Sequence, residues 1–530
     1  VHLFTFSLAS GVVFAHRRLR RTRLLLQRST CLSVFSFSCF LALHASSTSA
    51  CDHIPAGKSF WIRLLDPVAS YSSKPGATIR AILIQSPECS DGPVFPAGLE
   101  LEGEVIAVHK VGLGIKHETA SLEVQFDRLV TTNGDALPLA AQVVEIDNAR
   151  ETVHHGVIHG INATNSPQGR ITSRLIHLPT YNPYSDLGLL TYRSIFSKLP
   201  EPEIYLPPGT DLRLQLNLSL DVSDQPELPR PSFQMDEYER GDVEMLLSKS
   251  SERTTTRSGK TADLVNLLFV GSRDQIQQAF TASGWLPADQ ISAHAIFKQC
   301  EAVLTFSNYP TMPISKQLLN GDPQTLTWQK SFDSYEKREH LRLWIEPSEV
   351  QGQEAWLGAY TRETSATLSI KYHNFIHHID RNVDEGVLML VRDLSLAGCV
   401  DSVRQLPRPD FPQLTFNSTG DEMHTNGVLN VVHLKNCERP AVEYSSRHPL
   451  VPVRPRSRVV RYIRTQVLLY KSDVVRGNLI YGGYDLTRMA IRTFHHHNED
   501  YSDAGDRPLS PVSPDTLFPS LSITNAAVTQ

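Results

Sequence analysis

The sequence is short of the motifs by which enzymes are usually recognised. It has no GxSxG elbow, no P-loop, no HExxH and no Rossmann glycine fingerprint, which removes the commonest motif-based enzyme classes. No motif present requires a cofactor. None of the 7 cysteines forms a CxxC, which argues against a zinc ribbon or a thioredoxin-type redox centre. Basic charge is also scarce. The 51 Lys and Arg stand against 56 Asp and Glu, a net charge of −5, which argues against nucleic acid as a partner. Past the N-terminal segment no apolar run approaches the roughly 20 residues a membrane-spanning helix needs. No methionine precedes Met235, so Val1 is expected to reflect an alternative or misplaced start.

What is present begins with an N-terminus that reads as an export signal. Arg17, Arg18, Arg20, Arg21, Arg23 and Arg28 make a basic region with no acid nearby. An apolar run follows from Cys31 to Ala45, and the small residues SSTSA lead to Cys51. An uncleaved anchor is the alternative for the same segment. Cys51 occupies the place of a lipid-attachment cysteine, although Thr48 stands where a lipobox has Leu or Val. Past the signal the cysteines are Cys51, Cys89, Cys300, Cys399 and Cys437. Their spacing leaves open which of them pair in an oxidising compartment.

Along the chain the hydrophobic period changes. FWIRLL, TIRAILI, LELEGEVIAV and SLEVQFDRLV are short β-rich runs separated by Gly, Pro, Asn and Asp, and LELEGEV and SLEVQFD alternate strictly. Such strands without intervening helices predict a small barrel or sandwich. PAGK (Pro55–Lys58), PAGL (Pro96–Leu99) and PPGT (Pro207–Thr210) each read as a turn feeding a strand. Residues 227–262 are polar and rich in Ser and Thr, which predicts a linker. From 263 to 436 strands and helices alternate, as in an α+β domain. Ser272 and Gln275 predict a capping box for a helix that Gly284 stops. Val383, Val387, Leu390, Val391 and Leu394 repeat at helical spacing, with Asp384 and Glu385 at the start and Gly398 at the end. Residues 437–500 are basic and partly helical. Val460, Ile463, Val467 and Tyr470 share a face there, which suits either an anionic membrane surface or docking on the protein itself. Residues 501–530 read as a disordered tail.

Two resemblances follow from these segments. FPAGLELEGEV, the FDRL strand and the GDALPL turn resemble the β-barrel domain of TrbI-type conjugation-channel proteins. Residues from about 264 to 434 resemble the C-terminal domain of LssY-type bacterial proteins. That match rests on NLLFVGSRDQIQQAFTASGWLPAD, MPISKQLLNGDPQTLTWQK, REHLRLW, WLGAYTRET and HHIDRNVDEGVLMLVRDLSLAG. Asp322 stands where the family's glycine turn usually carries Arg, and Gly386 falls near another usual arginine. The LssY-type family has no established activity. It occurs beside membrane phosphatase domains of the phosphatidic-acid phosphatase type and at envelope and secretion loci. The resemblance therefore implies a compartment and an accessory role more than a reaction.

Three constellations are candidates for chemistry. His373, His377, His378, Asp380 and Asp384 lie where a strand passes into a helix. His373, His377 and Asp380 have the residue types of a zinc or manganese site, and His340 lies on a neighbouring strand. The same residues also fit a helix start, with Asp380 or Asn382 as N-cap and Asp384 answering the dipole. Arg338, His340 and Arg342 alternate on one strand and share a face, an arrangement that suits an anion. Trp285, Trp344 and Trp356 suit a sugar or lipid pocket, or else the core. His495, His496 and His497 with Glu499 and Asp500 form a terminal tract, and His154, His155 and His159 read as turn and surface residues.

The expectation is a multidomain chain: signal peptide 1–50, all-β barrel-like domain 51–226, linker 227–262, α+β LssY-like domain 263–436, and the C-terminal segments 437–500 and 501–530. It is expected to be exported to the periplasm or cell envelope and to bind or scaffold envelope proteins or the membrane surface, with the small-molecule ligand unspecified. The competing expectation is a metal- or histidine-dependent hydrolase of phosphorylated lipid or glycan, using His340, His377, His378, Asp380 and Asp384.

Overall fold

The computed structural model describes residues 52–89, 92–131, 134–148, 150–170, 199–223, 234–305, 307–332, 337–369, 374–409, 411–438, 458–476 and 487. The signal segment, Cys51, His373, the His495–His497 tract and the tail from 501 lie outside the described residues.

Six strands close on one another in chain order: β1 (Ser59–Leu64), β2 (Thr78–Gln85), β3 (Glu100–His109), β4 (Ser121–Val130), β5 (Ala136–Ile146) and β6 (Asp211–Leu216). Each is antiparallel to the next, and β6 returns to β1, so the ring has no free edge. Strand alternation fills it. Phe60, Ile62 and Leu64 point inward with Leu83, Leu101 and Phe126. Trp61 and Leu65 point outward with Ile82 and Ile84, and they too are buried. Burial on both faces explains why FWIRLL reads as an almost unbroken apolar run. The three Pro/Gly turns hold their glycines at φ of 87°, 94° and 92°, and the Gly57, Gly98 and Gly209 amides donate to Leu216, Leu83 and Leu64 carbonyls on adjoining strands.

The C-terminal region is built on a second sheet. Its strands are β7 (Leu267–Val270), β8 (Leu326–Ser331), β9 (Arg338–Ile345), β10 (Ala355–Ser369), β11 (Asn374–Ile379), β12 (Val400–Pro407) and β13 (Val428–Leu434). Beside the short edge strand Leu286–Pro287, the order is β8-β9-β10-β7-β13-β12, with β11 paired to the far end of β10 and only β7–β13 parallel. Five longer helices accompany the strands: α1 (Glu237–Leu247), α2 (Arg273–Ala282), α3 (Ala293–Thr305), α4 (Val383–Leu396) and α5 (Arg458–Arg476). The described chain is thus mostly β.

One sheet face receives α2 and α4. Phe280 and Leu390 pack there among Trp285, Trp328, Trp356 and Tyr360. The capping box of Ser272 and Gln275 opens α2. The other face carries Trp344 and Leu357 and is covered by α1. Residues 234–264, nearly all within the stretch whose polarity suggests a linker, supply α1 and the strands Arg253–Thr256 and Thr261–Leu264. Val243 and Leu246 form the narrow apolar edge of α1 that meets the sheet. A disulfide joins Cys399, just after α4, to Cys437, just after β13, over a separation of 38 residues. Helix α5 docks through buried Leu468 and Leu469. Arg464 pairs with Glu201 at 2.6 Å, and the Lys471 ammonium donates to the Gly114 carbonyl at 2.9 Å. Its outward side shows Val459, Tyr462, Ile463 and Tyr470.

Two glycines test this packing in opposite directions. A Cβ on Gly386 in α4 would lie 2.3 Å from the ring of Tyr360, which is fully buried, so nothing larger than hydrogen fits there. Gly386→Ala is expected to destabilise the fold by about 1–3 kcal/mol in denaturant titrations. Gly241 in α1 has open space around its Cβ position. Gly241→Ala is expected to stabilise by up to ~1 kcal/mol, because alanine is the better helix former.

Candidate functional site

Two buried polar centres lie on opposite faces of strand β9. The first surrounds Glu363 on β10. Register places Arg338 opposite Glu363. The Arg338 guanidinium donates to the Glu363 carboxylate at 3.0 Å, and His340 Nδ1 and His377 Nδ1 lie 3.3 and 3.0 Å from its oxygens. Burial alone would raise the Glu363 pKa, but Arg338, then His340 and His377, hold it well below the usual carboxylate range. Burial pushes His340 in the opposite direction from its carboxylate partner, well below an ordinary imidazole. Arg342, two residues on, pairs with Asp263 at 2.8 Å and donates to the Ser315 carbonyl. Arg338, His340 and Arg342 therefore share a face, and all three are buried among carboxylates.

The remaining candidates are dispersed. The alternation of β11 sends His378 away from His377, to Asp421 at 2.7 Å, where the imidazole is 40% exposed. Asn417 and Thr419 donate to the same Asp421 carboxylate. Asp380 accepts from the Asn382 amide, and Asn382 is the N-cap of α4. Asp384 accepts from Thr425 and from the Asn426 amide, and burial raises its pKa. Among the described residues no group of three or more His, Cys, Asp and Glu side chains is arranged to hold a metal ion. Trp285, Trp344 and Trp356 are core residues, and the Trp356 indole donates to the Gly271 carbonyl at 3.1 Å. His154 and His159 lie close together on a surface hairpin whose turn contains His155 at a φ of 51°.

The second centre lies where the sheet meets the barrel. Trp328, Leu341 and Tyr360 form an apolar row across β8, β9 and β10. The next row on that face is Lys330, Glu339 and Arg362. The barrel answers this charged row. Arg63 on β1 lies opposite Asp211 on β6 and grips it with two hydrogen bonds of 2.6 and 2.7 Å. The same guanidinium reaches Asp393 on α4 at 2.7 Å, and the second Asp393 oxygen takes Lys330. Arg362 pairs with Asp147 beside the barrel, and the Lys337 ammonium donates to the Asn148 carbonyl at 3.0 Å. Arg392 and Glu339 are buried next to these pairs.

Above this floor is a cavity of about 450 Å³. Ile82, Pro208 and Leu396 line its apolar sides, Ser283 and Gly284 its rim, and Arg63, Lys330 and Asp393 its base. Burial drives the Glu339 pKa up to about 7, although Lys330 and Arg362 pull it down. Burial also lowers the Arg392 pKa to about 10.

Residues 244–429 match the family model described as LssY C-terminus. This part of the chain is similar to the LssY C-terminal domain. The match ends within β13 and takes in the charged row, the strands around Glu363 and α4, while the barrel side of the second centre lies outside it. No curated protein matches the chain. Among solved structures, the chain is similar to ComB10 of the Com type IV secretion system of Helicobacter pylori. That likeness has 11% identity and a TM-score of 0.19, and it covers 34% of this chain and 93% of that one. The all-β barrel expected ahead of the LssY domain is present as the closed ring of β1–β6. Among the described residues no helix is long and apolar enough to cross a membrane.

Sequence reasoning passed over Glu363 and every member of the second centre. One signal was available: Glu339 shares the strand face of Leu341 and Leu343, so an acid sits on the apolar side of REHLRLW. Glu339 also gives the LssY domain a pH dependence. Its folded pKa is raised from an ordinary 4.5 to about 7. Its contribution to stability is therefore complete below the unfolded value and is lost as pH rises through about 7. Glu339→Gln is expected to change the melting temperature little at pH 5 and to raise it at pH 8, by the equivalent of about 3 kcal/mol at most. Melting curves of both proteins across that range check the sign.

Proposed function

We propose that the chain is an exported bacterial cell-envelope protein whose LssY domain and barrel act together as a binding or scaffolding accessory. The observation that supports this most is the seam. Barrel and LssY domain are joined by buried ion pairs around a cavity, while the histidine most deeply placed for chemistry, His340, is sealed among carboxylate and guanidinium groups. We assign the LssY domain to the α+β class, since α2 and α4 share one face of a sheet that is antiparallel except at β7–β13.

Export is supported by the basic-then-apolar N-terminal sequence and by the Cys399–Cys437 disulfide, since such bonds persist in oxidising compartments and are rare in the cytosol. Contact with a membrane surface or an envelope partner is assigned to α5, whose outward Val459, Tyr462 and Ile463 lie beside exposed Arg458. The second reading, a histidine-dependent hydrolase, is favoured by the His378–Asp421 pair, in which a carboxylate orients a partly exposed imidazole.

The test is to express the full chain in a Gram-negative host, fractionate the cells, and alkylate thiols under denaturing conditions before and after reduction. The expected result is envelope or periplasmic protein with Cys399 and Cys437 labelled only after reduction. Cytosolic protein with both thiols free would contradict export. Hydrolysis of a phosphate ester by the purified protein, lost in His378→Ala, would replace the accessory role with the hydrolase.

A further inference from the structure

The cavity at the seam has a base whose charges are unequally committed. Arg63 is engaged by Asp211 and Asp393, and both oxygens of Asp393 are taken, by Arg63 and Lys330. Lys330 is different. Its ammonium has three protons, it gives one to Asp393, and its side chain is 19% exposed. Beneath the base is a void of about 10 Å³ that shares Arg63, Lys330 and Asp393 with the cavity. Arg392 lines that void. It is 5% exposed, its Nη1 has no hydrogen-bond partner, and it forms no ion pair among the described residues. A buried guanidinium with no carboxylate in hydrogen-bond contact is costly, and the nearby Asp393, Asp211 and Glu385 offset its burial only in part.

The local charge count points the same way. Arg63, Lys330, Arg362 and Arg392 face Asp147, Asp211, Asp393 and Glu339. Glu339 is protonated through much of the range below neutrality, which leaves the cations in excess there. A volume of about 450 Å³ with apolar sides is also within the range of small-molecule sites.

We propose that this cavity binds a small organic anion, a carboxylate or phosphate monoester on a short apolar body, with its charged end on Lys330 and its body against Ile82, Pro208 and Leu396. The site requires only the folded barrel and LssY domain. It holds wherever the protein resides, and its failure would leave the envelope reading untouched.

Calorimetric titration of the full chain with hexanoate, hexyl phosphate, inorganic phosphate and hexanol tests it. At least one of the two organic anions is expected to bind, with inorganic phosphate and hexanol at least tenfold weaker. The two organic anions distinguish a carboxylate ligand from a phosphate one. Lys330→Gln is expected to weaken binding at least tenfold. Ala282 is exposed on the cavity wall, so Ala282→Trp blocks the space while leaving every ion pair in place, and it is expected to do the same. The proposal is overturned if neither organic anion binds at millimolar concentration, if hexanol binds as well as they do, if inorganic phosphate alone binds as tightly, or if Ala282→Trp binds like the parent chain.

Discussion

The contact between Arg63 and Asp393 governs the rest of this molecule. It joins a barrel strand to a helix of the LssY domain, 330 residues apart in sequence, in a place from which water is largely excluded. Such a contact is stable only when every charge brought into it is answered. Asp211 answers Arg63 from within the barrel, and Lys330 answers Asp393 from within the sheet. Each half of the seam therefore arrives with its own partner, and only one relative position of α4 and β1 satisfies both. Burial of Leu396 against Trp61, Ile82 and Ile84 supports that position.

This constraint explains the composition of elements that otherwise look irregular. Apart from Arg63, strand β1 is apolar on both faces because one lines the barrel and the other meets α4. Helix α4 is buried nearly all round, which is why Gly386 lies against Tyr360 and why Arg392 and Asp393 are inside. The sheet passes from the Trp328–Leu341–Tyr360 row to the Lys330–Glu339–Arg362 row where its apolar neighbour, α4, gives way to the charged flank of the barrel.

Local pattern carried much of the fold. Alternation in LELEGEV and SLEVQFD marked two barrel strands, Ser272 and Gln275 marked the start of α2, and the spacing of Val387, Leu390, Val391 and Leu394 marked α4. Register and distance carried the rest. Nothing local says that β6 returns to β1, that Cys399 meets Cys437, or that His340 and His377 converge on Glu363 across two strand pairings. Asp393 is the hardest case. On a helical wheel it lies off the apolar stripe and reads as solvated, and only the barrel on that side reverses the reading.

The claim that barrel and LssY domain form one unit through this seam is tested most directly by scanning calorimetry of the full chain. A single unfolding transition whose calorimetric and van't Hoff enthalpies agree is expected, because the buried Arg63–Asp393 and Arg362–Asp147 pairs tie the two halves together. Two resolved transitions, one surviving the loss of the other, would contradict it.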